Sequence, residues 1–348
     1  MHKLRQLWPF GLLVGFVAGL PFWTPLRSTA FLAGAYRYPS VAEPLPHSNV
    51  EATFVSWVDP TASQQIAAAL AAAQRRRSLA LITLEPFADP ARVNGTVTLV
   101  NDVVLGRYDR YLKPLFAVMC RPQQPVLLRF AHEMDHTGQY PWSVRQGADY
   151  VRLYRAVWQR ARQPRCRRLH WVWSPAGNGD ARPFWPGDDA VDLIGVSVYS
   201  SPRWNRRGEL SSFAEIYDRR RWLHAQYRKP LLIAEMGVSG TLEQRRRWLL
   251  DARDALARYP ELIGWVYFNA PQPRWMPLET GHEDWTLPSA LSALVTAPLN
   301  RPSEFCRLLD VSVPMLSPML SPMLSAKLCA SGSGDAASDA AAAGGPGV

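Results

Sequence analysis

From Phe31 onward, short apolar runs take turns with longer stretches whose apolar residues recur at helical spacing. The apolar runs fall at 31–36, 52–57, 79–84, 126–131, 169–173, 192–199, 231–235 and 263–269. Most are continuous rather than alternating, as in strands buried on both faces of a parallel sheet. Between them, 62–75 is alanine-rich, and 148–162, 213–228 and 242–258 repeat apolar residues every three or four positions, which predicts helices. Repeated β/α units build either a doubly wound sheet or a barrel, and eight strand patterns favour the barrel. The expected fold is therefore α/β, a (β/α)8 TIM barrel forming one domain over 31–300.

The two ends break this pattern. His2, Lys3 and Arg5 precede an uncharged run from Leu7 to Leu26, which over 1–30 reads as a signal peptide or a membrane anchor with its basic end in the cytoplasm. Ser28, Thr29 and Ala30 supply the small residues of a cleavage site. Export to the periplasm or beyond is expected, with inner-membrane anchoring through an uncleaved segment as the alternative. At the other end Pro-Met-Leu-Ser recurs, and the last residues are mostly Ala, Gly, Ser and Asp. That 301–348 composition lacks the apolar periodicity that would offset ordering entropy, so a low-complexity, disordered tail is expected.

Composition allows one large core, with 47% hydrophobic residues in 348. The formal net charge of +10 raises the question of nucleic acid. However, the arginine triplets 75–77, 219–221 and 245–247 lie on separate predicted helices without aromatic interleaving, so a solvated outer ring is expected and a nucleic-acid partner is not. Such a surface would also suit an acidic polysaccharide. Of the four cysteines, Cys120 and Cys166 each follow a predicted helix and precede neighbouring strands. They form either a disulfide or two separate thiols. Cys306 and Cys329 belong to the tail region. A monomer is expected.

Barrel chemistry gathers at the carboxyl ends of strands. Two of the apolar runs end on an acid: 126–131 leads into His132 and Glu133, and 231–234 leads into Glu235 before Met236-Gly237. Two carboxyls in matching positions are the equipment for acid-assisted displacement at a sugar carbon. His132, Glu133 and His136 also spell the H-E-x-x-H zinc-protease pattern. That pattern needs both histidines on one helix face, whereas Pro125 ahead and Gly138 and Pro141 behind leave room only for a strand and a loop. No metal or organic cofactor is expected.

Arg129 to Met134 with Tyr140-Pro141-Trp142 resembles the acid/base strand of glycoside hydrolase family 26, which includes endo-β-mannanases, β-1,3-1,4-glucanases and β-1,3-xylanases. Further segments resemble the same family in order: Leu84-Glu85-Pro86, Gly106 to Asp109, Trp173-Ser174-Pro175, Trp185 to Asp188, Val191 to Tyr199, Lys229 to Gly237, and Phe268-Asn269 with Asp284-Trp285. The resemblance implies a retaining, endo-acting β-glycosidase with Glu133 as acid/base and Glu235 as nucleophile. It further implies that Tyr199 hydrogen-bonds the nucleophile and that His132 lines the sugar site. Glu85 falls among the strand-end positions of the cleft. Trp142, Trp204 and Trp285 are candidate flat surfaces for sugar rings. Arg129 is expected to point away from the cleft and to serve in a barrel salt bridge. Asp135-His136 stand where the family usually has Asn-Gly, Leu84 where it has Trp, and Thr286 where many mannanases have Arg, which leaves the polymer open. The alternatives are the zinc protease and a carbohydrate-binding protein without turnover.

Overall fold

The structure is a computed structural model and describes residues 31–37, 45–92, 96–122, 124–204, 206–272, 283–297 and 299. The expected N-terminal signal or anchor and the 301–348 tail, with Cys306 and Cys329, lie outside the described residues. Among the described residues no helix is long and apolar enough to cross a membrane.

Eight parallel strands close into a barrel in chain order: β1 Leu32–Arg37, β2 Val50–Ser56, β3 Leu79–Glu85, β4 Val126–Phe130, β5 Leu169–Trp173, β6 Leu193–Ser200, β7 Leu231–Val238 and β8 Leu262–Asn269, with β8 pairing back onto β1. Every apolar run read from the sequence is a strand, and the TIM-barrel expectation is borne out. The helices are α1 Ala62–Arg76, α2 Thr96–Val104, α3 Asp109–Met119, α4 Gly147–Ala161, α5 Phe213–Asp218, α6 Trp222–Tyr227, α7 Leu242–Ala255 and α8 Ser292–Thr296. Among the described residues β5 connects to β6 through short 3-10 turns instead of an α-helix.

Burial follows the two faces of each strand. Leu32, Val50, Leu79, Leu81, Leu127, Val172, Leu193 and Leu232 fill the barrel interior, while Val126, Leu128 and Phe130 pack outward among the helices. At the carboxyl end a third cluster, Phe268, Ala270 and Trp285 with Tyr36, Phe54 and Tyr199, forms an aromatic floor. At the opposite end a disulfide joins Cys120 to Cys166, tying the end of α3 to the turn before β5.

Two helical expectations change. The region expected as one helix over 213–228 is divided into α5 and α6. The Arg220 guanidinium donates to the Ile216 carbonyl at 2.7 Å, the acceptor that a continuing helix would offer to the Arg220 amide, and that amide bonds Tyr217 O instead. Arg220 is also buried, at 4% exposure, so the second arginine triplet is not wholly solvated as the sequence suggested. Helix α2, Thr-Val-Thr-Leu-Val-Asn-Asp-Val-Val, went unread because its β-branched residues are weak helix formers.

Candidate active site

Strand β4 delivers the first carboxyl through an unusual turn. Ala131 and Glu133 both adopt left-handed backbone, with φ of 50° and 51°, a conformation that costs non-glycine residues about 1–3 kcal/mol each. The turn is pinned by Ala131 N–H to Leu84 O at 3.2 Å and Glu133 N–H to Ser174 O at 2.7 Å. It leaves the Glu133 carboxyl buried, with Ser197 Oγ donating to Oε1 at 2.5 Å and Tyr140 OH to Oε2 at 3.3 Å.

Strand β7 delivers the second. Opposite β6 it carries a bulge: Val196 faces Ile233 but Ser197 faces Glu235, so Ala234 is the extra residue and Glu235 is turned toward the barrel axis. Tyr199 OH donates to Glu235 Oε2 at 2.7 Å, and Arg129 Nη1 donates to Oε1. Gly237 makes room for this phenol, since a Cβ there would lie 2.6 Å from the Tyr199 ring. Burial raises the Glu235 carboxyl above the usual range, and Glu133 adds to the rise. The Arg129 guanidinium and the Tyr199 and Arg129 hydrogen bonds oppose it. Burial first, then Glu235 and Glu133, keep the Tyr199 phenol well above its ordinary value, so it remains a donor.

His132 follows β4 and is ringed by Phe54, Tyr140 and Trp142. Its Nε2 is 3.9 Å from Glu235 Oε1. Burial, reinforced by Arg129 and His136, pushes the imidazole well below its usual range, so that approach is not an ion pair at neutral pH. Its Nδ1 is buried without a protein partner, as is Arg129 Nη2. Two orphaned donors or acceptors beside the carboxyls are groups that a polar ligand can satisfy.

Glu85 ends β3 as a third carboxyl, raised to about 7 by burial first and by Glu235 second, with Arg129 pulling the other way. Trp204 borders the cleft and is 48% exposed. Trp285 is buried and packs edge-on against Trp204 and beside Tyr199, backing the phenol. Trp142 is corrected: it is fully buried, stacks on Tyr140 at 4.7 Å and donates Nε1–H to His132 O at 2.6 Å, so it offers no face to a sugar. Arg129 is corrected as well. It does form a barrel salt bridge, but inside the barrel and to Glu235, with Nε donating to Ser174 Oγ at 2.8 Å. Strand alternation accounts for this placement, since Leu127 faces inward and Arg129 is two residues on. Ser197 and Tyr140 are further contacts that the pair-of-acids reading had not singled out.

The H-E-x-x-H residues form no helix. His132 faces Glu235, whereas His136 contacts Gln139 at 3.0 Å and Asn178 at 3.1 Å, so the two imidazoles share no face.

Residues 116–245, which carry both carboxyl strands, match glycosyl hydrolase family 26. Over that segment the chain is similar to the family 26 glycoside hydrolases. Among the relatives it resembles, a β-1,3-xylanase from Vibrio sp. is 28% identical over 206 residues, covering 51% of this chain and 43% of the relative. A mannan endo-1,4-β-mannosidase of Bacillus subtilis is 28% identical over 180 residues, covering 47% and 45%. The chain spans less than half the length of these curated relatives. Two solved structures share the fold. A family 26 protein from Muricauda sp. has a TM-score of 0.56 at 13% identity over 78% of this chain and 85% of its own. A family 26 β-mannanase from Bacteroides ovatus has a TM-score of 0.54 at 15% identity over 77% and 86%.

Proposed function

We propose that this protein is a family 26 glycoside hydrolase, a retaining, endo-acting β-glycosidase with Glu133 as general acid/base and Glu235 as nucleophile. The observation that carries the reading is the division of partners between the two carboxyls. Glu235 accepts from a guanidinium and a phenol, which favour its charged form, whereas Glu133 meets only hydroxyls. A serine or tyrosine hydroxyl can accept a hydrogen bond as well as donate one, so it tolerates a protonated Glu133. A nucleophile must be ionised and an acid must carry its proton.

In the first step Glu235 attacks the anomeric carbon and forms a glycosyl ester. The glycosidic C–O bond breaks, and Glu133 gives its proton to the departing oxygen. In the second step water gives a proton to Glu133 and attacks the same carbon, the ester breaks, and Glu235 is released. Retaining enzymes hold such carboxyls about 5–5.5 Å apart. Tyr199 aims Glu235, His132 and Arg129 present unsatisfied polar atoms beside it, and Trp204 offers an apolar face to a neighbouring ring.

The substrates named for the relatives are a β-1,3-xylan and a β-1,4-mannan, and this chain's polymer is proposed to be a β-linked glycan, with β-mannan and β-glucan foremost. The Cys120–Cys166 disulfide supports export to an oxidising compartment. A panel of mannan, mixed-linkage glucan and β-1,3-xylan with product sizing tests the reading, run beside Glu133→Gln and Glu235→Gln. The expected result is internal cleavage lost in both folded variants. Undiminished cleavage by either would remove that residue from its role.

A further inference from the structure

Beside Glu133 the cleft deepens into a cavity of about 280 Å³ whose walls include His136, Asn178, Trp204, Arg219 and Arg220. Glu133 and Tyr199 line it, and Glu235 does not. It therefore lies on the side of the acid, where the group leaving the anomeric carbon would sit under the reading above.

Its electrostatics are lopsided. Arg220 is 4% exposed, and every acceptor its guanidinium has among the described residues is neutral: Ala176 O at 3.2 Å, Ile216 O at 2.7 Å and Asn178 Oδ1 at 2.7 Å. Of its five N–H donors, three are used. No carboxylate among the described residues pairs with it. Arg219, exposed at the same wall, has no ion-pair partner among them either. The nearby acids are otherwise engaged. Asp135 accepts the Ala176 and Gly177 amides at 2.7 and 2.9 Å, and Asp218 lies 4.0 Å from Arg221. Glu133 is the remaining acid in the wall, and in its proton-donating form it carries no charge. Burial, with Arg219 next and Asp135 and Glu133 opposing, lowers Arg220 to about 10, so it stays charged at neutral pH.

Buried charges in proteins are normally paired, because an unpaired one forfeits its hydration. The fold nonetheless builds this one in: α5 breaks at Arg220, and Gly177, at φ +79°, leaves space for its stem, where a Cβ would lie 2.8 Å from Arg220 Cγ. A guanidinium fork matches a carboxylate, and two adjacent arginines on a hydrolase cleft call for an anion on the substrate.

We propose that this cavity is a subsite for an acidic sugar, a β-linked uronic acid unit on the leaving-group side of the scissile bond, whose carboxylate is held by Arg219 and Arg220. The proposal rests on the glycosidase reading and narrows its substrate to acidic β-glycans.

Calorimetric titration of the full chain carrying Glu235→Gln, which prevents turnover, compares cellotetraose with its C6-oxidised counterpart at low salt. The oxidised ligand is expected to bind at least tenfold tighter, with the preference shrinking as salt is added. Arg219→Ala is expected to reduce the preference, and Arg219→Glu to abolish it. Arg220→Lys, its fold checked by thermal unfolding, is expected to keep part of it, because the charge remains but the fork is lost. Equal affinities, no measurable affinity for the oxidised ligand, or a preference untouched by Arg219→Glu would overturn the proposal. Hydrolysis of aryl β-glycosides by the unaltered protein reports separately on the glycosidase reading. Cleavage without acid preference sinks only the subsite, whereas acid preference without cleavage sinks the hydrolase reading and with it the leaving-group placement, leaving only an acidic-glycan binding site.

Discussion

Ser197 and Tyr199 stand two residues apart on β6, and each hydroxyl binds one oxygen of a different carboxyl: Ser197 to Glu133 and Tyr199 to Glu235. Alternation puts both on the inner face of the strand, roughly 7 Å apart along it. One strand thus sets the position of both proposed catalytic groups, although one lies in the turn after β4 and the other on β7.

Removing either hydroxyl separates the two roles. Tyr199→Phe deletes a donor to a buried carboxylate, a bond worth about 1.5–3 kcal/mol, so kcat/KM is expected to fall about 10- to 100-fold. The acidic limb of its pH profile should move up, since the phenol favours ionised Glu235. Ser197→Ala should instead act on the proton-donating step. Its loss should be large on polysaccharide and small on aryl glycosides with good leaving groups, and steady-state kinetics on both substrates checks this.

Glu85 is raised to about 7, so it loses its proton across neutral pH and places a second negative charge beside Glu235. A pH profile of kcat/KM should show Glu85→Gln removing any inflection near pH 7 that this second charge produces. The same group makes a stability prediction. Between its ordinary 4.5 and about 7 the folded state binds more protons than the unfolded state, so stability falls as pH rises through that window. Denaturant titrations from pH 5 to 8 should show Glu85→Gln removing a decline of about 2 kcal/mol.

Much of this was readable along the chain. Both acids end apolar strands bounded by Pro or Gly, so their setting was visible without coordinates. Trp142 was not placed correctly, because sequence shows that a tryptophan is near a site but not which side of the wall it occupies. Arg129 was misassigned because β4 is apolar on both faces in sequence, and only the structure shows that Leu127, and so Arg129, faces inward. Arg220 was hidden inside an arginine triplet that reads as solvent-facing, yet Phe213, Ile216, Tyr217, Arg220 and Leu223 fall on one helical stripe and all are buried. The β7 bulge at Ala234 left no local signal, since it depends on pairing with β6.

Trp142→Phe should test the wall. It removes the bond to His132 O and leaves a small void, so a loss of about 1–3 kcal/mol is expected in chemical denaturation. Because His132 would lose its anchor, substrate affinity should fall too. Unchanged affinity would show that His132 is held by its ring neighbours alone.

The Cys120–Cys166 bridge spans a sequence separation of 46 at the end of the barrel remote from the carboxyls. Replacing both cysteines with serine should cost about 2–4 kcal/mol of stability, with kcat unchanged at temperatures where the variant is folded. Thermal unfolding and kinetics on the same sample check both halves.

The division of labour between Glu235 and Glu133 is tested most directly by trapping the glycosyl ester. Incubation with 2-deoxy-2-fluoro-β-cellobiosyl or -mannobiosyl fluoride, followed by intact-protein and peptide mass spectrometry, should show one added glycosyl unit on the peptide containing Glu235. The label should be absent from Glu235→Gln. A label on Glu133 or Glu85, or turnover of these fluorides with inverted configuration and no adduct, would contradict the account.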